Sequence, residues 1–209
     1  MLHFGINLLN SKYGLNILRE KYAIINNKSS IRKGEIYTDE WCEKHLENCL
    51  INYDLNMDYF RRLYKAEFIS SLNKFLKENK KFTEVFNLNE YTIKSGYYML
   101  ILDEFCQIYI GTTQCIRRRV LSHWSTKKEF DKLIFGKVNN SILSIDSFRA
   151  LDTTRIFAYS TNSLFDEENK FIDNFPSKYL LNRTAGGRLE FGFIEAMANG
   201  KTRDIRNLK

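Results

Sequence analysis

The chain has 209 residues, 44% of them apolar and 14% aromatic, which is enough for a packed core and excludes a largely disordered polymer. Thirty-two Lys and Arg against twenty-five Asp and Glu leave a net charge of +7, a bias that points to a polyanionic partner. The longest apolar run, Tyr97 to Leu102, is far too short to span a membrane. No secretory signal opens the sequence, and four cysteines are too sparse for a disulfide framework, so a reduced, cytoplasmic protein without membrane association is expected.

Residues 1–35 carry no clear period, and Asn26 to Gly34 reads as a loop. A helix fits Trp41 to Tyr53, where Trp41, Cys42, His45, Leu46, Cys49, Leu50 and Tyr53 form a stripe; Thr38 is its N-cap, with Asp39 and Glu40 in the favoured first turn. Cys42, His45 and Cys49 share that face at ligand-like spacing. Zinc would need a fourth ligand, such as His3, and no Cys-x-x-Cys pair exists, so core packing is the better reading. A second helix fits Met57 to Glu78, with Phe60, Tyr64, Phe68, Leu72 and Phe75 or Leu76 along one side.

The period changes at Ile93. Tyr97 to Leu102 and Cys106 to Ile110 are short runs of strand formers around Asp103–Glu104, which predicts a β-hairpin. A helix follows over Gln114 to Trp124, capped by Thr112 or Thr113, then a strand over Arg155 to Ser160 and a helix over Leu164 to Phe175 before Pro176. The order implies an α+β fold with a small antiparallel sheet. Three regions are expected: a helical extension over 1–92 for DNA binding or dimerisation, a main domain over 93–189, and a short tail over 190–209. Residues 1–92 carry fourteen basic and twelve acidic side chains, net +2, and the remainder carries +5. A polyanion site therefore belongs to the C-terminal half.

Chemistry concentrates in the same half. Gly96–Tyr97–Tyr98 and Tyr109–Ile110–Gly111 lie on the two hairpin strands, with Tyr98 and Tyr109 eleven residues apart. Arg119 follows ten residues after Tyr109, and His123 lies one helical turn further on the same face as Ile116, Val120 and Trp124. An arginine held against a core edge needs an anion. In the last predicted helix Glu168, rather than Asp166 or Glu167, shares the apolar face of Leu164, Phe171, Ile172 and Phe175, and a carboxylate there needs a partner. Asn182 lies fourteen residues beyond Glu168, ahead of Gly186–Gly187.

In order, spacing and residue type this set resembles the GIY-YIG nuclease family, with Tyr97 standing where the first motif usually has Ile. The resemblance covers about ninety residues, Gly96 to Gly187. It implies a three-stranded antiparallel sheet flanked by helices, here with the N-terminal helical extension. The implied activity is hydrolysis of a DNA phosphodiester with one divalent metal. Tyr98 would take a proton from the attacking water with the help of His123, Tyr109 would orient water or phosphate, and Arg119 would stabilise the transition state. Glu168 would hold Mg²⁺, with Mn²⁺ as substitute, and Asn182 would brace the site. Arg117, Arg118, Arg183 and Arg188 are expected to contact double-stranded DNA. The layout, with about ninety residues before the first motif and twenty-two after Gly187, is most like the compact type II restriction endonucleases of the family, which act as dimers. A defence or mobile-element nuclease of loose or structure-based specificity is the alternative enzyme. A non-catalytic DNA-binding module is the alternative of another class.

Overall fold

The computed structural model describes residues 1–8, 25, 31–32, 34–126, 128–164 and 166–184. It is an α+β protein with two antiparallel sheets. A small hairpin pairs β1 (Leu2–His3) with β2 (Ile6–Asn7). The main sheet contains β3 (Thr83–Glu84), β4 (Gly96–Leu102), β5 (Gln107–Thr113) and β6 (Arg155–Ser160) in the order β3-β6-β4-β5, all neighbours antiparallel. The sheet thus has four strands instead of three. The added strand is two exposed polar residues whose ladder with Ala158 and Phe157 leaves no alternation to read.

The β4–β5 hairpin and β6 form where their strand-forming residues predict. The turn is completed by Cys106 at φ +50, so β5 begins one residue later than expected. Arg155 and Thr154 close this end of the sheet on Asp103, whose carboxylate accepts at 2.9 and 2.5 Å from the guanidinium and at 2.6 Å from the hydroxyl. Every residue of β4 is buried, as the pleat of a central strand requires. Tyr98, Leu100 and Leu102 join a cluster with Ile156, Ala158, Ile116 and Val120 on one face. Tyr97, Met99 and Ile101 join Phe68, Leu72, Phe75, Phe171 and Ile172 on the other.

Helix α1 (Asp39–Arg61) opens as predicted, with Thr38 Oγ1 accepting from the Trp41 N–H at 3.2 Å. It runs on to Arg61, past the expected end, because Asn56, Tyr59 and Phe60 continue its buried stripe; Leu50, in contrast, is exposed. Helix α2 (Lys65–Glu78) therefore starts at Lys65 instead of Met57 and buries Phe68, Leu72 and Phe75, with Tyr64 left in solvent. Helix α3 (Ile116–Ser125) follows β5; its cap position is Cys115, whose N–H is received by Thr113 Oγ1 at 3.2 Å. Helix α4 spans only Glu168–Asp173, shorter than the expected Leu164–Phe175, with Leu164 outside it.

The N-terminal elements pack on the same cores as the sheet. Tyr59 and Phe60 belong to the first cluster, Phe68 to Phe75 to the second. Between α3 and β6 the chain makes three short 3-10 turns, at Phe130–Lys132, Ile145–Ser147 and Ala150–Asp152. Helix α1 holds this excursion: His45 Nε2 is 2.8 Å from the Phe130 carbonyl, and the Asn52 and Asn56 amides donate to the Val138 and Ser141 carbonyls at 2.6–3.0 Å. Its far end is held by His3, whose Nε2 is 2.9 and 3.0 Å from the Ala150 and Thr153 carbonyls.

Candidate active site

Tyr98 stands opposite Gly111 in the β4–β5 ladder, and Tyr109 stands opposite Leu100. With a period of two, this register puts both phenols on the α3 face of the sheet. Their rings lie 6.2 Å apart. A methyl group on Gly111 would come within 2.5 Å of the Tyr98 hydroxyl, so the glycine is what lets the phenol reach its position. Gly96 has φ +143 and no room for a side chain against the Tyr159 carbonyl, so the strand carrying Tyr98 can start only from glycine.

Helix α3 supplies the next two groups. His123 is 2% exposed, and its Nε2 lies 2.8 Å from the Tyr98 hydroxyl. Arg119, expected to point at the core with it, is instead exposed: the buried stripe is Ile116, Val120, His123 and Trp124, and Arg119 lies beside it at the rim. There it lines an open cleft of about 450 Å³ with Thr112, Thr113, Gln114, Arg118 and Ser122. This placement suits an anion arriving from solvent better than the expected one. Burial holds the Tyr98 phenol well above its ordinary range, Tyr109 and Glu168 push the same way, and Arg119 opposes them. The Tyr109 phenol is raised by burial and by Glu168 and Asp146, again against Arg119.

Asp146 completes the constellation and is absent from the sequence-based set. Its Oδ1 lies 2.6 Å from His123 Nδ1, on the ring edge opposite Tyr98. Lys128 Nζ stands 3.9 Å from its other oxygen. Burial lowers the His123 imidazole below its usual value, with Arg119 and Lys128 adding to the shift and Asp146 opposing it. The Asp146 carboxyl is held below its own range by the hydrogen bond to His123 and by the nearby cations, against its burial. Both shifts favour a neutral imidazole at His123 and an ionised carboxylate at Asp146.

Glu168 is 8% exposed at the first position of α4, and its charge reaches both phenols. Phe171 and Ile172 are buried beside it, as the apolar face predicts. The segment leading to it is tethered by Tyr97, whose hydroxyl donates to the Ser163 carbonyl and accepts from the Glu167 N–H, both at 3.1 Å. Among the described residues no group of three or more His, Cys, Asp or Glu is placed to hold a metal. A single carboxylate fits a hard cation that keeps most of its water, such as Mg²⁺, and does not fit structural zinc.

Asn182 is buried, accepting from the Ile110 N–H at 3.1 Å and donating to the Ile110 carbonyl at 2.7 Å. It extends the strand-like contact of Leu181 with Ile108 and braces β5 between Tyr109 and Gly111. Arg118 is exposed in the cleft, and Arg117 donates to Asn89 at 3.1 Å. Arg183 is half-buried: it packs over Phe135, donates to the Lys132 carbonyl at 3.2 Å, and has two further nitrogens without a hydrogen bond among the described residues. Burial brings its guanidinium down to about 10. Arg188 and Gly186–Gly187 lie outside the described residues. Cys42 and Cys49 are core residues and His45 holds Phe130, consistent with the packing reading.

No family model matches the chain, and neither curated proteins nor solved structures give a match. Among the described residues no helix is long and apolar enough to cross a membrane.

Proposed function

We propose that this chain is a metal-dependent endonuclease that hydrolyses a phosphodiester of double-stranded DNA, built on a fold of the GIY-YIG type. The observation that carries the reading is the cluster of a phenol paired to a buried histidine, a second phenol, a buried carboxylate whose charge reaches both phenols, and an arginine that acts on the same phenols and also lines an open cleft. Each group answers a need of phosphate hydrolysis: a proton acceptor for water, an orienting hydroxyl, a cation for the extra phosphoryl charge, and an anchor for a metal.

His123 Nε2 takes the Tyr98 proton, and the phenolate left behind takes one proton from a water in the cleft. The resulting hydroxide oxygen bonds to phosphorus while the bond to the leaving oxygen breaks. That oxygen takes a proton from solvent, and His123 returns its own to solvent, so the diester and one water give a monoester and a hydroxyl. Arg119 favours the phenolate and then the charge on the phosphoryl oxygens. Tyr109 hydrogen-bonds to water or phosphate, and Asn182 fixes the strand that carries it. When bound at Glu168, Mg²⁺ would supply positive charge at the leaving oxygen, with Mn²⁺ as a substitute.

We favour the restriction-type, sequence-specific version of this activity, with a homodimer as its working form. Plasmid digestion with Mg²⁺, followed by run-off sequencing, tests it. Discrete ends are expected; a smear or nicking favours the looser defence or mobile-element nuclease. Glu168→Gln should abolish Mg²⁺-dependent cleavage and leave DNA binding in a gel shift. Cleavage by that variant at the wild-type rate overturns the assignment, and intact DNA after prolonged incubation of the wild type with either metal favours a binding module.

A further inference from the structure

Asp146, His123 and Tyr98 form a continuous line of hydrogen bonds, 2.6 Å and 2.8 Å long, from the excursion between α3 and β6 to the centre of the sheet. The protonation pattern of this line follows from chemistry. An ionised carboxylate only accepts, so His123 Nδ1 must carry the hydrogen it receives. A neutral imidazole has one N–H, so Nε2 presents a lone pair, and Tyr98 must be the donor to it. The opposite tautomer would set a lone pair against the carboxylate and an N–H against the phenol oxygen. Nε2 would then have no lone pair with which to take the Tyr98 proton.

We propose that Asp146 is a positioning residue that fixes His123 in the Nδ1–H tautomer, so that Nε2 faces Tyr98 as a proton acceptor and the proton leaves the phenol away from the cleft. The kinetic part of this inference rests on the nuclease reading; the tautomeric part does not.

Asp146 is built to hold this place. Ser144 Oγ lies 3.3 Å from its second oxygen, Arg149 donates to its backbone carbonyl at 2.9 Å, and Lys128 balances its charge. The loop behind it is gripped by Asn52 and Asn56 of α1. The other ionisable groups facing His123 are Tyr98 from β4, Tyr109 from β5, Arg119 from its own helix and Lys128 after that helix. Asp146 is the one acid among these groups. After His123 receives the proton it becomes a cation beside this carboxylate, which stabilises the charge-separated state that the phenolate requires.

The test uses the full chain labelled with ¹⁵N. Long-range ¹H–¹⁵N spectra at neutral pH should show wild-type His123 with its proton on Nδ1 and Asp146→Asn moving population toward the Nε2–H form. Wild-type His123 protonated on Nε2, or a folded Asp146→Asn variant still wholly in the Nδ1–H form, overturns the proposal; the wild-type spectrum suffices if the variant does not fold. In the cleavage assay Asp146→Asn should lower kcat by as much as about 10⁴-fold, by analogy with acids that set a histidine tautomer, with KM for DNA unchanged and partial recovery in Asp146→Glu. Wild-type kcat in Asp146→Asn overturns the relay. A wild-type chain that shows the expected tautomer and cuts no DNA overturns the nuclease reading and leaves the positioning of His123 standing.

Discussion

At the scale of single residues, the arrangement depends on side chains that are missing as much as on those present. The Tyr98 hydroxyl passes over Gly111 at a distance no Cβ permits. Gly111→Ala must therefore push either the β5 backbone or the phenol away from His123, whose 2.8 Å hydrogen bond has little slack. Because a displacement near 1 Å at a reacting group costs about 10²-fold, we expect cleavage to fall by that order while the melting temperature drops only a few degrees. Cleavage at wild-type rate in a variant of unchanged stability contradicts the placement of Tyr98. The third residue of the second motif is thus explained by contact, as the first residue of the first motif is explained by φ +143 at Gly96. Residues tied to a local pattern were readable in the sequence. Tyr98 and Tyr109 share a face because of where a four-residue turn places them in the hairpin, and His123 falls on the buried stripe of α3. Asp146 was not readable: it sits twenty-three residues from its partner, in a stretch without a regular period whose geometry is imposed by α1. The half-buried setting of Arg183 was not readable for the same reason, since Phe135 and Lys132, about fifty residues away, hold a side chain that looks solvated in sequence.

At the scale of elements, the position of Glu168 is delegated to a tyrosine on another strand. Helix α4 has only six residues and no side-chain cap of its own, too short to be stable unaided. The Tyr97 hydroxyl supplies the missing anchor, taking the Glu167 N–H and giving to the Ser163 carbonyl, while its ring packs edge-on to Phe171 at 5.2 Å. Tyr97→Phe keeps the ring and removes the tether. Two backbone groups lose their partner, so a loss of about 1–3 kcal/mol is expected in denaturant unfolding. The Mg²⁺ concentration for half-maximal cleavage should rise several-fold, with rate at saturating metal little changed. Equal Mg²⁺ dependence in both proteins would show that the tether does not position Glu168. The departure from the usual Ile of the first motif thereby acquires a role, one the sequence could not disclose because the tyrosine's partners are backbone atoms seventy residues away. The same logic limits what periodicity revealed of the helices. It found the apolar faces of α1 and α2, but the break at Arg62–Tyr64 depends on Tyr59 and Phe60 being buried against the sheet, which no local pattern records.

At the scale of the whole molecule, the charge bias resolves into exposed and half-buried parts. The excess of +5 beyond residue 92 includes Arg118 and Arg119 in the open cleft, but also Arg183, which is half-buried over Phe135. These two kinds of cation predict opposite results. An exposed arginine that contacts DNA releases counterions on binding, so the affinity falls with salt along a slope of about 0.9 per phosphate contact. Arg118→Ala should therefore reduce the slope of log K against log salt by about 0.9 and weaken all duplexes alike, with stability unchanged. Arg183→Met should leave that slope untouched. It should also leave stability equal or raised, because replacing a half-buried cation, incompletely paired among the described residues, by an apolar side chain of similar volume removes a desolvation penalty. Fluorescence anisotropy on duplex DNA between low and physiological salt, paired with thermal melts, separates the cases. A slope that drops in Arg183→Met would mean that the guanidinium swings out from Phe135 to meet DNA, and would move the binding face from the cleft toward the Lys128–Lys132 side. A slope unchanged in Arg118→Ala would instead remove the cleft from the DNA path and leave Arg119 to serve the phenols alone.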